Sequence, residues 1–401
     1  MPAPGLPPRS LYLHVPFCAR RCFYCDFAVH ALRSPPTQEW LDAVARELEL
    51  TAELQGWTAP LALDTVYVGG GTPSLLGEGA LAALRRRLGP WAAWNDAAVE
   101  WTCEANPESF TPALAEDWRR AGVNRVSLGV QSFDAGVLRW MGRLHGPDGP
   151  ARAVAAARAA GLANLSVDLI FALPARLGRA WRDDLERTLE LQPEHVSLYG
   201  LTAEPGAPLG RRVREGREAL PDEERYADEY LEANAVLTAA GFEHYEVSNF
   251  CRPGRESRHN LAYWIGAPYA ALGPGAHAFF PPVRRWNMRS WNAYREAVFS
   301  GVPPLEAEER VSAEDAALER VWLGLRTRLG LPLEEATARQ RQVADLWRRQ
   351  GWATPEPEVL RLTTEGWLRL DRLAVEYAAA AAPAPPEGGH AAAHALQGTT
   401  A

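Results

Sequence analysis

The chain has 401 residues, 47% of them hydrophobic, and a formal net charge of −8. That suits two or three domains, or one large α/β domain with an appendage, while an acidic balance without a long Lys/Arg run argues against broad nucleic-acid binding. No apolar run reaches the length of a membrane span, and five cysteines, three of them clustered, do not form a secreted disulfide framework. The N-terminus lacks a charged region ahead of an apolar one, so it does not read as a signal peptide, and a cytoplasmic location is expected.

Residues 1–9 read as a disordered lead-in. Residues 11–15 form a short β run that Pro16 ends. The loop that follows carries Cys18-Ala-Arg-Arg-Cys22-Phe-Tyr-Cys25. Spacings of four and three can place three thiolates on one inorganic centre. An iron–sulfur cubane is held by Cys thiolates and normally takes four. Structural zinc also wants four closed ligands, which His14 or His30 could complete. On spacing alone both centres stand.

Beyond the loop the chain alternates. Helices are predicted over 36–55, 81–88, 111–121, 181–191 and 222–240, with two helical segments before Gly161. Strands are predicted over 64–68, 99–104, 126–131, 165–173 and 195–201. Strand then helix, repeated with short links, implies a parallel sheet, wound or barrel-like. In such sheets ligands lie off the carboxyl ends of the strands. The polar motifs sit there: the cysteines after the first strand, Gly69-Gly70-Gly71 after the second, Glu104 after the third and Gln131 after the fourth. Asp168 lies within the fifth. A glycine run after a strand is more often only a turn. Carboxylates on apolar strands are costly without a partner, which already favours a ligand.

From 246 to 304 the pattern is aperiodic and aromatic-rich. Helices follow over 312–329 and 333–349. Residues 359–370 alternate like a small hairpin around Gly366, and 371–377 suits a last helix. Helices followed by a hairpin suggest a winged-helix-like unit. The tail over 378–401 is Ala/Pro/Gly-rich and expected to be disordered. The expected division is 1–9 lead-in, 10–245 α/β core, 246–304 connecting region, 305–377 C-terminal domain and 378–401 tail.

The sequence resembles the radical S-adenosylmethionine superfamily. More narrowly it resembles the group that holds the oxygen-independent coproporphyrinogen III oxidases and the HemW haem chaperones. The likeness rests on Tyr12-Leu-His14-Val-Pro-Phe17 ahead of the cysteines, Gly-Gly-Gly-Thr72-Pro, Glu104-Ala-Asn-Pro107, Gly129-Val-Gln131-Ser-Phe133 and Asp168-Leu-Ile-Phe-Ala-Leu-Pro174. It implies an α/β fold: a partial (β/α)6 TIM-like barrel of radical SAM type with a winged-helix-like, HemN-C-like α+β domain after it. It implies that Cys18, Cys22 and Cys25 ligate a 4Fe–4S cluster whose open iron binds S-adenosylmethionine. It implies further that Gly70, Gly71 and Thr72 hold the methionyl end, and that Tyr12 and Tyr24 flank the cofactor. Glu104, Gln131 and Asp168 would bind polar atoms of the methionine and ribose, Arg143 would pair with the carboxylate, and Thr202 would make a backbone contact. The family chemistry is reductive cleavage of the sulfonium to a 5′-deoxyadenosyl radical, which the cofactor carries and the protein positions.

Within that group the residues divide the two activities. The oxidases carry a fourth Cys two positions after the third, where this chain has Phe27, and a longer N-terminal extension. His259-Asn260-Leu-Ala-Tyr263-Trp264 matches a His-Asn-x-x-Tyr-Trp signature linked to haem in the HemW group. Imidazole is a common haem ligand. An ordinary core histidine beside two aromatics is the competing reading, and His277 with Trp286 and Trp291 is a weaker haem-side alternative. The resemblance therefore implies a haem chaperone that serves acceptor haemoproteins, respiratory ones being candidates, without nucleic acid or a membrane span; the aromatic surface is compatible with a homodimer. The alternative it leaves is oxidative decarboxylation of coproporphyrinogen III.

Overall fold

The computed structural model of the protein describes residues 7–93 and 98–381. Residues 1–6 and 382–401, which hold most of the expected lead-in and tail, lie outside the described residues. Six apolar runs form parallel strands: β1 (Ser10–Val15), β2 (Thr65–Gly70), β3 (Glu100–Ala105), β4 (Arg125–Gln131), β5 (Leu165–Phe171) and β6 (His195–Gly200). They pair in chain order from β1 to β6. Their backs are covered by α1 (Thr37–Gln55), α2 (Ala80–Leu88) and α3 (Pro112–Ala121); α4 (Ala135–Met141) packs instead with Ile170, Leu173 and Leu201 by the cysteine loop, and α5 (Gly149–Ala159) and α6 (Trp181–Glu190) continue the cover further along. Strands covered in this way read as near-continuous apolar runs, and Leu11, Leu13, Val66, Val68, Val126 and Leu128 are all buried in one core with Trp40 and Trp101.

This is the expected partial (β/α)6 barrel, and the sheet extends beyond it at both edges. Past α7 (Pro208–Arg214) and α8 (Glu223–Ala239) come β7 (Glu243–Glu246) and β8 (Asn249–Cys251), antiparallel on the β6 edge. After α9 (Arg258–Trp264), β9 (Tyr269–Leu272) adds parallel to the other side of β1. Then β10 (His277–Phe280), β11 (Val283–Asn287), α10 (Trp291–Phe299) and β12 (Leu305–Arg310) finish the edge, the strands antiparallel. The result is one twelve-stranded sheet, β7-β8-β6-β5-β4-β3-β2-β1-β9-β10-β11-β12. The stretch 246–304, expected to be irregular, is thus largely strand and helix. Its strands are three to five residues long and are interrupted by Gly273-Pro274-Gly275 and Pro281-Pro282, too short for a period-two pattern to emerge.

The C-terminal unit contains α11 (Ala313–Leu325), α12 (Ala338–Arg349), α13 (Thr364–Trp367) and α14 (Leu370–Ala379) around a core of its own that includes Leu325, Leu333, Trp347 and Leu373. Its wing pairs Val359–Leu360 with Leu331–Pro332, antiparallel. The hairpin expected over 359–370 is therefore corrected: its second half is helical. Thr363 Oγ1 accepts the Gly366 N–H at 3.1 Å and caps α13. Gly366 is needed because a Cβ there would collide with the Trp352 carbonyl. The unit is tied to the barrel by Arg326, whose guanidinium lies 3.2 Å from Glu246 and 4.2 Å from the Trp264 ring centre. Among the described residues no helix is long and apolar enough to cross a membrane.

One buried charge fixes the β9–α10 edge to the barrel. Glu47 on α1 is 2% exposed. Its carboxylate accepts the Gly273 N–H at 2.7 Å, the Tyr294 hydroxyl at 2.6 Å and the Asn287 side-chain amide. Burial raises its pKa to about 7, against the pull of those three donors. Glu47→Ala would strand three buried donors, each costing about 1–3 kcal/mol. We expect the variant to lose about 3 kcal/mol or more, read as a lower denaturation midpoint at unchanged slope.

Candidate functional site

Side chains alternate across a strand, and every second residue of the six parallel strands faces one interior. Tyr12 and His14 on β1, Ser127, Gly129 and Gln131 on β4, and Asp168 and Ile170 on β5 all line a single cavity of about 780 Å³. Glu104 of β3 lines it too, and so do Gly70 and the residues just past β2 and β6, Gly71, Thr72 and Thr202. The three clustered cysteines, Tyr24 and Arg143 complete the wall at the carboxyl ends of the strands. The cluster and cofactor residues singled out in the sequence are thereby brought together around one space.

The cysteine loop is anchored at its exit by Phe17–Cys18 pairing with His30–Ala31. His14 locks it from inside. A backbone carbonyl can only accept, so His14 Nε2–H donates to Ala28 O at 3.0 Å, and Nδ1 accepts the Tyr12 hydroxyl at 3.0 Å. The ring is held neutral by burial, which lowers its pKa to about 4. Burial likewise pushes the Cys18 thiol up to about 11 and raises Cys25. A chain of polar contacts reaches the sulfurs: Arg143 Nη2 donates to Asn106 Oδ1 at 2.6 Å, Asn106 Nδ2 to Thr72 Oγ1 at 3.1 Å, and Thr72 Oγ1 to Cys18 Sγ at 3.4 Å. Arg143 Nη1 also approaches Cys22 Sγ at 3.8 Å, and its buried Nε has no hydrogen-bond partner among the described residues. Among those residues, no three His, Cys, Asp or Glu side chains converge as a single metal ion requires.

The glycine run is a close approach of backbone. Gly70 has φ +106, and a Cβ on it would run into the His14 ring. Its N–H donates to Glu104 Oε2 at 2.9 Å, while the Tyr67 hydroxyl donates to Oε1 at 2.8 Å. Burial, with Asp168 adding like charge, raises Glu104 to about 7 despite these donors. Asp168 accepts from Ser127 Oγ at 2.9 Å and Ser166 Oγ at 3.3 Å, and burial raises it as well. The wall is acidic, desolvated and able to change charge near neutrality, which suits a cationic or hydroxyl-rich ligand.

The His-Asn-x-x-Tyr-Trp residues are divided by α9. Only Tyr263 reaches the cavity. His259 lies behind it, 1% exposed, with both ring nitrogens engaged: Nδ1 with Thr65 Oγ1 at 2.7 Å and Nε2 with the Tyr263 hydroxyl at 2.8 Å. Burial lowers its pKa to about 3. Asn260 sits in the first turn of α9, its N–H donating to the capping Ser257 hydroxyl at 3.3 Å. Trp264 points the other way, under Arg326. At the mouth, by contrast, stand Phe27, which is 61% exposed, with Tyr269, Arg289 and an exposed His277. Trp286 stacks on His277, whereas Trp291 packs on Phe17 in the core.

Sequence reading missed Tyr67, Asn106, Ser127, Tyr269 and Arg289. Asn106 and Ser127 were within reach. They lie two positions after Glu104 and two before Gly129, on the same inward rows, so strict alternation selects them. Tyr269 and Arg289 come from the aperiodic stretch, where no pattern marks a face.

Comparison with known proteins adds family to geometry. Residues 12–187 match the radical SAM superfamily model. The chain is 41% identical over 378 residues to the haem chaperone HemW of Mycobacterium tuberculosis H37Rv, covering 92% of this chain and 94% of that one. It is 36% identical over 383 residues to Escherichia coli K12 HemW, covering 92% and 97%. In structure it resembles the coproporphyrinogen III oxidase HemN of Escherichia coli, a radical SAM enzyme, with a TM-score of 0.77, 21% identity and coverage of 92% and 90%. That likeness shows the fold.

The raised carboxyls have a measurable consequence. A carboxyl whose folded pKa is about 7, against an unfolded value near 4.3, contributes stability below the lower value and loses it as pH rises through the upper. The buried neutral imidazoles of His14, His244 and His259 act in the opposite direction as pH falls below their ordinary value, so the carboxyl share is read from a variant against wild type. The melting temperature of Glu104→Gln relative to wild type should be more favourable at pH 8 than at pH 5.5, as thermal unfolding of both proteins at the two pH values will show.

Proposed function

The chain belongs to the HemW family of radical S-adenosylmethionine proteins, and from that premise we propose that it binds haem and passes it to acceptor haemoproteins in the cytoplasm. The observation that carries the reading is the likeness to HemW over almost the full length of both chains. The site supports it. Phe27 takes the place of the oxidases' additional cysteine and presents an exposed apolar ring at the mouth, where a porphyrin face is better served than a thiol.

The residues present fit a 4Fe–4S cluster and S-adenosylmethionine. Cys18, Cys22 and Cys25 would hold the cluster, and Tyr24 would flank it. The unpartnered, buried Arg143 Nε is a donor awaiting an anion, which the methionyl carboxylate would supply. Gly71 has no room for a Cβ between the Val15 and Phe17 carbonyls, so only glycine lets this backbone pack against the start of the cysteine loop while lining the cavity. Gly70, Gly71 and Thr72 would take the methionyl end, and Tyr12, Glu104, Gln131 and Asp168, with Thr202, the remaining polar atoms. When bound, the pair supplies one-electron reduction of a sulfonium. The chain's own part is to hold the ligands, keep His14 neutral and bonded to the loop, and keep water from the wall.

Anaerobic reconstitution should yield roughly four iron and four sulfide per chain, with loss of the cluster in Cys18→Ala, Cys22→Ala and Cys25→Ala. The loaded protein should retain haem in one vessel and leave coproporphyrinogen III unchanged in another, given reductant and S-adenosylmethionine. Formation of protoporphyrinogen would replace the chaperone reading by the oxidase one, and metal analysis that found only zinc would remove both.

A further inference from the structure

Seven histidines lie among the described residues. Six have ring nitrogens already committed: His14, His30, His145, His195, His244 and His259 each hydrogen-bond a neighbour through the ring. For His259 both nitrogens are used and the side chain is buried. His277 differs. It is exposed, it lines the cavity, and its imidazole has no hydrogen-bond partner among the described residues.

We propose that His277, rather than His259, supplies the imidazole that ligates the haem iron. The proposal rests on the haem-binding reading above and deepens it. The placement is set by the sheet: His277 opens β10, is registered against Trp286 on β11, and lies near-parallel to that indole with ring centres 5.8 Å apart and planes 18° from parallel. A lone imidazole cannot hold a bare ion, which needs three or four protein ligands. It can hold iron that a porphyrin already coordinates in its plane. The neutral ring gives a lone pair to the metal and displaces a water; no electron or proton moves. The same mouth offers Tyr269 and Phe27 as apolar faces and Arg289 for a propionate. A guanidinium pairs well with such a carboxylate. Arg289 is itself held in place, donating to Asp26 O at 2.6 Å. His259 then acts as a positioning residue, holding the hydroxyl of Tyr263 at the wall.

The test is haem titration of the full chain by absorption and ferric EPR, with His277→Ala and His259→Ala beside it. Wild type should show an imidazole-ligated spectrum. His277→Ala should lose that signature and bind haem about tenfold or more weakly, and added imidazole should restore the signature. Folded His259→Ala, verified by circular dichroism, should keep it. Wild-type spectrum and affinity in His277→Ala would overturn the assignment, as would loss of the signature in folded His259→Ala alone. Failure of wild type to take up haem would instead sink the haem reading as a whole, and the assignment with it.

Discussion

A single buried imidazole ties the barrel to its functional loop. His14 accepts from Tyr12 on its own strand and donates to Ala28 at the far side of the cysteine loop. Its carbonyl takes the Trp40 indole N–H at 3.0 Å, which seats α1. Its ring and carbonyl leave room only for glycine at Gly70 and Gly273, so the ends of β2 and β9 close on it. Five segments meet at one residue, and its neutrality is what lets them: a charged ring there would lose the acceptor that Tyr12 requires. The loop that presents three thiols is thus placed by the strand before it.

The cavity built on this joint has two chemical halves. Its floor is polar and desolvated, with Glu104 and Asp168 satisfied by Tyr67, Gly70 and a row of serines. Its mouth is flat-faced and open, with Phe27, Tyr263, Tyr269 and His277. The first half comes from the parallel strands, the second from the added edge beyond β1 and the loop returning to it. Glu47 joins the two halves by accepting from Gly273 and from two side chains of that edge. Burying an acid there is costly unless every lone pair is used, and three donors offset that cost.

Much of the floor was legible in the sequence. Apolar runs with polar ends gave six strands, and parallel pairing sends those ends to one mouth. Glu104, Gln131 and Asp168 stood out because carboxylates and amides are rare on such runs. The mouth was legible only as isolated residues, Phe27 and His277 with Trp286, and not as a surface. Its strands are short and broken by proline and glycine, so neither face nor partner could be read. The His-Asn-x-x-Tyr-Trp motif shows the limit most clearly. As a string it presents four residues together, yet helical geometry sends Tyr263 to the cavity, His259 behind it and Trp264 to the C-terminal unit. The terminal hairpin misread has the same origin, since four alternating residues do not distinguish a strand from the capped start of a helix.

What the sequence by itself determined is the family, the six parallel strands and the identity of the thiols and acids that line the cavity, because those depend on local pattern and residue chemistry. What only the tertiary structure decided is which side chains are free to act. A ring nitrogen's availability depends on what lies against it from other strands, and no spacing records that. Thr65 on β2 occupies His259, and nothing hydrogen-bonds His277 among the described residues. The long-range contact, not the motif, separates a histidine that supports the wall from one that faces the open cavity.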